Sequence, residues 1–203
     1  MNRRLAVLIS GRGSNLQSII DAIARRELDA AIAIVMSNRP EAPGLRRARD
    51  AGLETTTVSP REYASRDAYD AAISEILRTH DVGLVCLAGF MRLVGPRLLA
   101  AFPDAVLNIH PSLLPSFPGL DAQRQALEHG VRVSGATVHF VTAELDGGPI
   151  VLQAAVPVLD DDTVDTLSAR ILVEEHRIYP QAIGDVLDGG WRLEGRRFVR
   201  RRS

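Results

Sequence analysis

From residue 5 to residue 110, short apolar runs alternate with longer amphipathic segments, and this alternation leaves the chain few architectures. Residues 5–10, 31–36, 54–58, 82–87 and 105–110 read as strands, and 15–24, 44–51, 67–79 and 96–101 as the helices between them. Residues 82–87 carry no polar face, so they need cover on both sides, as a central parallel strand does. The pattern predicts an α/β fold: an open, mostly parallel, twisted sheet with helices on both faces.

Beyond His110 the character changes. Pro111, Pro115, Pro118 and Gly119 punctuate a loop before a helix over 121–129. Residues 133–142 and 150–158 follow as two strands joined by a polar turn, 143–149, which predicts an antiparallel pair at the far edge of the sheet. Asp160, Asp161 and Asp162 suit the N-terminus of a helix over 163–179. Gly189 and Gly190 close a last helix, and residues 191–199 form a terminal hairpin. With 203 residues, 46% of them hydrophobic, the chain reads as one domain, residues 1–203. Aromatics make up only 4%, so the core is expected to be aliphatic.

Charge removes several functions. A net charge of −1 gives no overall attraction to nucleic acid, and no apolar stretch approaches the roughly 20 residues that span a bilayer. Arg196, Arg197, Arg200, Arg201 and Arg202 read as a solvated terminus. Every Lys/Arg position holds Arg, which excludes a lysine Schiff base and a Walker lysine. The single Cys86, in an apolar run, is a buried hydrophobe with no internal disulfide partner. With no signal-peptide pattern at the N-terminus, a cytoplasmic location is expected.

Gly11-Arg12-Gly13-Ser14-Asn15 lies between the first strand and the first helix. Its glycines let the backbone approach a ligand, and the free amides face it at the positive helix end. A dinucleotide loop would want a third glycine where Leu16 stands, and an acidic residue where the second strand ends Met36-Ser37-Asn38. A phosphate monoester remains, beside the plainer reading of a tight turn with Ser14 or Asn15 capping the helix.

Leu107-Asn108-Ile109-His110 ends an apolar strand with two polar side chains, which alternation places on one face. Asp146 precedes Gly147 and Gly148, which let the chain fold it back toward a ligand. An amide, an imidazole and a carboxylate suit attack of an amine on a carbonyl: the oxygen gains charge and needs donors, and a proton must move. Asp146 would favour the charged form of His110. His80, His129, His139 and His176 read as structural hydrogen-bonding residues. The chain lacks a His-Glu-x-x-His run, a second Cys and a Gly-x-Ser-x-Gly elbow, so metal and serine-nucleophile chemistry are not expected.

Residues 9–16, Ala88-Gly89-Phe90-Met91-Arg92, Asn108 through Pro115 and Glu144 through Pro149 together resemble the phosphoribosylglycinamide formyltransferase family. The resemblance runs from residue 5 to about 190, with the motifs in the family's order and spacing. It implies transfer of formyl from 10-formyltetrahydrofolate, as cosubstrate, to the amine of glycinamide ribonucleotide, without metal, by a monomer or homodimer. By matching motif, Gly11, Gly13, Ser14 and Asn15 hold the substrate phosphate, and Glu175 binds the ribonucleotide unless it belongs to a solvated helix face. Arg66, Met91, Arg92, Leu93 and Val94 contact the folate, and Thr142, Ala143, Glu144, Leu145 and Asp146 line its pterin pocket. Asn108, which also meets the folate, His110 and Asp146 match the catalytic trio. On this reading residues up to about 105 bind the nucleotide, 106–190 bind folate and carry catalysis, and 191–203 are a tail. Asp121-Ala122-Gln123 departs from the family, which often has histidines there.

Three rivals remain at this point. A formyltetrahydrofolate hydrolase has no use for a phosphate loop and usually carries a regulatory domain before it. A formyltransferase acting on initiator tRNA carries a further basic domain. A non-catalytic nucleotide-binding module has no need of Asn108, His110 and Asp146 together.

Overall fold

A computed structural model of the chain describes residues 2–200. The elements run β1 (Arg4–Ile9), α1 (Ser14–Ala24), β2 (Ala31–Ser37), α2 (Pro43–Asp50), β3 (Thr55–Thr57), α3 (Arg66–Thr79), β4 (Leu84–Leu87), α4 (Pro96–Ala101) and β5 (Val106–His110). They continue with α5 (Ala122–His129), β6 (Val133–Phe140), β7 (Ile150–Pro157), α6 (Val164–Leu187), β8 (Trp191–Glu194) and β9 (Arg197–Arg200). The strands form one sheet in the order β3-β2-β1-β4-β5-β6-β7-β9-β8. From β3 to β5 all pairings are parallel. The chain winds outward from β1 to β3 and then crosses to β4, so the order reverses between β1 and β4. Open α/β sheets bind ligands outside the strand ends at such a reversal.

The core is aliphatic, as the scarcity of aromatics requires. β1 from Leu5 to Ile9 and β4 from Leu84 to Leu87 are buried throughout, covered on both faces. α1 contacts α2 and α6, α5 contacts α6, and α3 contacts α4. Tyr179 on α6 donates its hydroxyl to the carbonyls of Leu87 (2.9 Å) and Leu107 (3.3 Å), fastening that helix across β4 and β5.

Three expectations need correction. The helix expected to stop at Tyr179 instead runs unbroken through Pro180 to Leu187. A proline inside a helix costs about 3 kcal/mol, and here Ile178, Tyr179, Ala182, Ile183 and Val186 all bury their side chains along that stretch and offset the loss. The helix starts at a capping box, with Thr163 Oγ1 accepting from the Thr166 amide and Thr166 Oγ1 from the Thr163 amide.

The antiparallel pair β6–β7 is not at the edge. β6 runs antiparallel to β5 and β7 to β6, but β9 then adds in parallel to β7 and β8 completes the sheet. The basic segment read as a solvated terminus is in part this hairpin: Arg197 and Arg200 lie in β9, Arg196 pairs with Glu144 and Arg200 with Asp185. Trp191 and Phe198 pack on Phe140, which gives the hairpin an apolar anchor. Arg201 and Arg202 lie outside the described residues. No helix among the described residues is long and apolar enough to cross a membrane.

Candidate active site

The carboxyl ends of β1, β4 and β5 stand side by side, because Leu8 pairs with Leu87 and Leu87 with Asn108. At about 4.8 Å per strand, the loop leaving β1 lies about 10 Å from Asn108. The glycine loop and the polar end of β5 therefore share one rim of the sheet.

Gly13 is the residue before α1 and has φ +71°. A Cβ there would also come within 2.8 Å of the Gly44 Cα, so conformation and space both require glycine. Gly44 donates its amide to Gly11 O at 3.0 Å, tying the loop to the start of α2. The reading of Ser14 or Asn15 as a helix cap is not met, since no side chain among the described residues caps α1. Asn15 instead donates Nδ2 to Glu175 Oε2 at 2.8 Å, while its Oδ1 has no partner among the described residues. Glu175 is 7% exposed, so it does not sit on a solvated face. Burial pushes its carboxyl pKa up, and the Asn15 hydrogen bond partly opposes that.

Ser10 joins three loops. Its Oγ donates to Asn38 Oδ1 at 2.5 Å and accepts from the Met91 amide at 2.7 Å. Sequence reasoning did not single out this strap; a polar pair at the ends of neighbouring parallel strands was its only trace. Past it, at the ends of β2 and β3, a cavity of about 690 Å³ opens between Asn38, Arg39, Ser59, Arg61 and Arg92. The polar end of β5 takes no part in its lining.

Asn108 and His110 point to one face of β5, and the antiparallel pairing sets His139 of β6 directly opposite Asn108. A register shift against β7 falls between Val138 and His139, a bulge of the kind that re-aims side chains beside functional sites. His139 Nδ1 meets Phe140 O at 2.9 Å and Nε2 meets Asn108 Nδ2 at 3.1 Å. A carbonyl only accepts, so Nδ1 carries the proton and Nε2 accepts from Asn108. Burial pushes the His139 pKa down, which favours this neutral imidazole. Sequence reasoning read His139 as structural; only the strand register, invisible in the motif, brings it into the cluster.

Asp146 enters from the turn after β6 at φ +50°, and its carboxylate lies between the two histidines. Oδ2 is 3.4 Å from His110 Nδ1 and accepts from the Gly119 amide at 2.8 Å; Oδ1 is 3.6 Å from His139 Nε2. A Cβ on Gly148 would collide with Phe140 O, so glycine there permits the return that aims Asp146 inward. His110 directs Nε2 at Phe117 O, 2.9 Å away, which fixes a proton on that nitrogen. The three groups singled out in the sequence thus converge beside the glycine loop. His139 takes one Asn108 amide proton, and the second has no acceptor among the described residues.

The family model for formyl transferase matches residues 3–183. The chain belongs to the formyl transferase family. It is 48% identical over 185 residues to the phosphoribosylglycinamide formyltransferase of Escherichia coli (strain K12), covering 91% of this chain and 87% of that one. It is also 48% identical over 190 residues to the trifunctional purine biosynthetic protein adenosine-3 of Bos taurus, spanning 94% of this chain and 19% of that longer one. The crystal structure of glycinamide ribonucleotide transformylase 1 from Symbiobacterium toebii superposes with a TM-score of 0.97 at 57% identity, over 99% of this chain and 95% of that one.

In this formyl transferase the two segments expected at a folate lie on loops with exposed apolar side chains. Met91 and Leu93 follow β4, each 60% exposed, and Leu145 lies in the turn after β6. Ala143 and Glu144 are exposed, and Thr142 is half-buried. Arg66 donates Nη2 to Val94 O at 2.9 Å, so it braces the Met91–Val94 loop. Asp70, one turn further along α3, is buried against Gly95, and burial pushes its carboxyl pKa up. Asp121, the residue before α5, has φ +56°.

Proposed function

We propose that this chain transfers the formyl group of 10-formyltetrahydrofolate to the amine of N1-(5-phosphoribosyl)glycinamide, a step of purine biosynthesis in the cytoplasm. The observation that carries the reading is the contact of Asp146 with His110 at 3.4 Å, beside Asn108 and about 10 Å from the glycine loop. An acceptor phosphate sits on the amides of Gly11, Gly13, Ser14 and Asn15 at the positive end of α1. Glu175 and the unpartnered Asn15 Oδ1 face the acceptor's polar groups. The glycine loop and Glu175 thus serve the acceptor, and the segments after β4 and β6 supply the donor pocket beside the catalytic groups. The donor lies along Met91, Arg92, Leu93 and Val94 and the turn 142–146, with Arg66 holding the first of these in place.

The amine nitrogen attacks the formyl carbon and a C–N bond forms. The carbonyl oxygen becomes an oxyanion, which takes the second Asn108 N–H and a proton-bearing nitrogen of His110. His110 reaches that oxygen only by exchanging Phe117 O for it. Asp146 stabilises the imidazolium and helps carry the proton released by the amine toward the folate nitrogen as its bond to the formyl carbon breaks. Each bond and proton is accounted for without a metal ion.

Purified chain mixed with 10-formyltetrahydrofolate, with and without glycinamide ribonucleotide, tests the proposal. Donor consumption that requires the acceptor and yields formylglycinamide ribonucleotide is the expected result. Consumption that proceeds equally without acceptor would make the chain a hydrolase, and none in either case would leave it a binding module.

A further inference from the structure

The β8–β9 hairpin lies outside residues 3–183, yet it touches the turn 141–149 at its entry, its tip and its exit. At the entry, Phe140 packs against Trp191 (ring centroids 5.3 Å) and Phe198 (6.0 Å), which stack on each other at 5.3 Å. At the tip, Arg196 of the hairpin's own turn pairs with Glu144 at 3.3 Å. At the exit, Ile150 pairs with Arg197. The hairpin in turn is moored to the end of α6, where Trp191 Nε1 donates to Val186 O at 2.9 Å and Arg200 pairs with Asp185.

The turn's other ties are at its two ends, where the Val141 amide donates to Val106 O at 2.8 Å and the Phe140 amide to Pro149 O at 2.9 Å, and at Asp146, whose Oδ2 accepts from the Gly119 amide at 2.8 Å. Residues 143–145 are exposed, and Asp146 adopts a left-handed conformation, φ +50°, that only a minority of non-glycine residues take. Phe140, by contrast, is 2% exposed and is the residue where β6 gives way to the turn. An exposed ion pair such as Arg196–Glu144 contributes little by itself. Set beside a buried aromatic anchor and a strand pairing, it fixes the third point of a tripod.

We propose that the hairpin is a positioning element for the turn 141–149, setting the grip on the formyl donor and the place of Asp146. Its residues touch no reacting group; Trp191, Phe198 and Arg196 act through Phe140 and Glu144. The acceptor side is built on α1 and the middle of α6, whereas the hairpin meets α6 at its end, through Asp185 and Val186. The donor's identity rests on the function proposed above.

The full chain carrying Phe198→Leu, and separately Arg196→Ala, tests this by steady-state kinetics and amide hydrogen exchange. Phe198→Leu is expected to raise the KM for 10-formyltetrahydrofolate about fivefold or more and leave the acceptor KM within about twofold. Exchange should quicken in 141–149 and stay unchanged in 11–16. Arg196→Ala, at an exposed site, should move the donor KM the same way by about twofold, with Arg196→Lys restoring it. Both KM values rising together, exchange rising throughout, or a lower Tm with neither KM changed would each overturn the proposal, leaving the hairpin a general stabiliser. Should Phe198→Leu fail to fold, the Arg196 pair of variants decides the matter. A wild-type chain that consumes no donor sinks the proposed function instead, and the exchange comparison still reports whether the hairpin holds the turn.

Discussion

At the scale of single residues, the cluster assigns different protonation duties to groups of the same type. His139 is locked as a neutral imidazole by Phe140 O on one nitrogen and Asn108 on the other. His110 instead sets its Nδ1 3.4 Å from the Asp146 carboxylate. On the mechanism proposed above, Asp146 is the group whose charge matters. Asp146→Asn keeps an oxygen to accept from the Gly119 amide and removes the partner of the His110 imidazolium. Turnover is expected to fall at least about a hundredfold, with substrate KM values and Tm nearly unchanged, as loss of proton-transfer help does. Near-normal turnover in a steady-state assay would take Asp146 out of the mechanism. The motif residues were legible because each is chemically odd for its place: two polar side chains ending an apolar strand, and an Asp before two glycines. His139 was not, because a lone His within a strand reads as structural, and it joins the site only through cross-strand register and a bulge.

At the scale of elements, the two loop glycines separate ligand approach from backbone strain. A Cβ on Gly11 meets nothing within 4 Å, whereas Gly13 combines φ +71° with the Gly44 Cα at 2.8 Å. Gly11→Ala should leave Tm within about 1 °C and weaken acceptor binding, because the added methyl stands where the phosphate nears the backbone. Gly13→Ala should cost about 1–3 kcal/mol of stability in denaturant titration and weaken the acceptor as well. Equal stability of the two variants would contradict the loop geometry. Helix α6 gives a second case. Tyr179→Phe removes the buried hydroxyl that spans the Leu87 and Leu107 carbonyls, and a loss of about 1–2 kcal/mol is expected on unfolding, with activity retained. Helix α6 also marks a limit of local reasoning: the sequence pattern ends it at Tyr179, and burial of the side chains around Pro180 carries it on to Leu187. The hairpin was legible as a hairpin but not as the sheet's edge, since nothing in residues 191–199 announces the partner β7.

At the scale of the whole molecule, the alternation of apolar runs and amphipathic segments was enough to anticipate the parallel half of the sheet, where every pairing but β1–β4 joins strands consecutive in the chain. What joins distant parts was not legible, and the pair Asn15–Glu175, 160 residues apart, is the sharpest instance. That pair places a carboxyl in the interior between the first and last long helices, where burial raises its pKa. A carboxyl whose pKa is higher folded than unfolded favours the folded state fully below its unfolded value, about 4.3. That contribution is lost as pH rises through the folded value. Glu175→Gln is neutral at every pH and still accepts from Asn15 Nδ2. Its Tm should therefore match that of the wild type near pH 4 and exceed it increasingly toward pH 8, while acceptor binding weakens where the carboxylate is needed. Calorimetric scans of both proteins across that range check the sign. A Tm difference independent of pH would mean that Glu175 keeps its ordinary ionisation and that its burial between α1 and α6 is relieved by opening of the two helices.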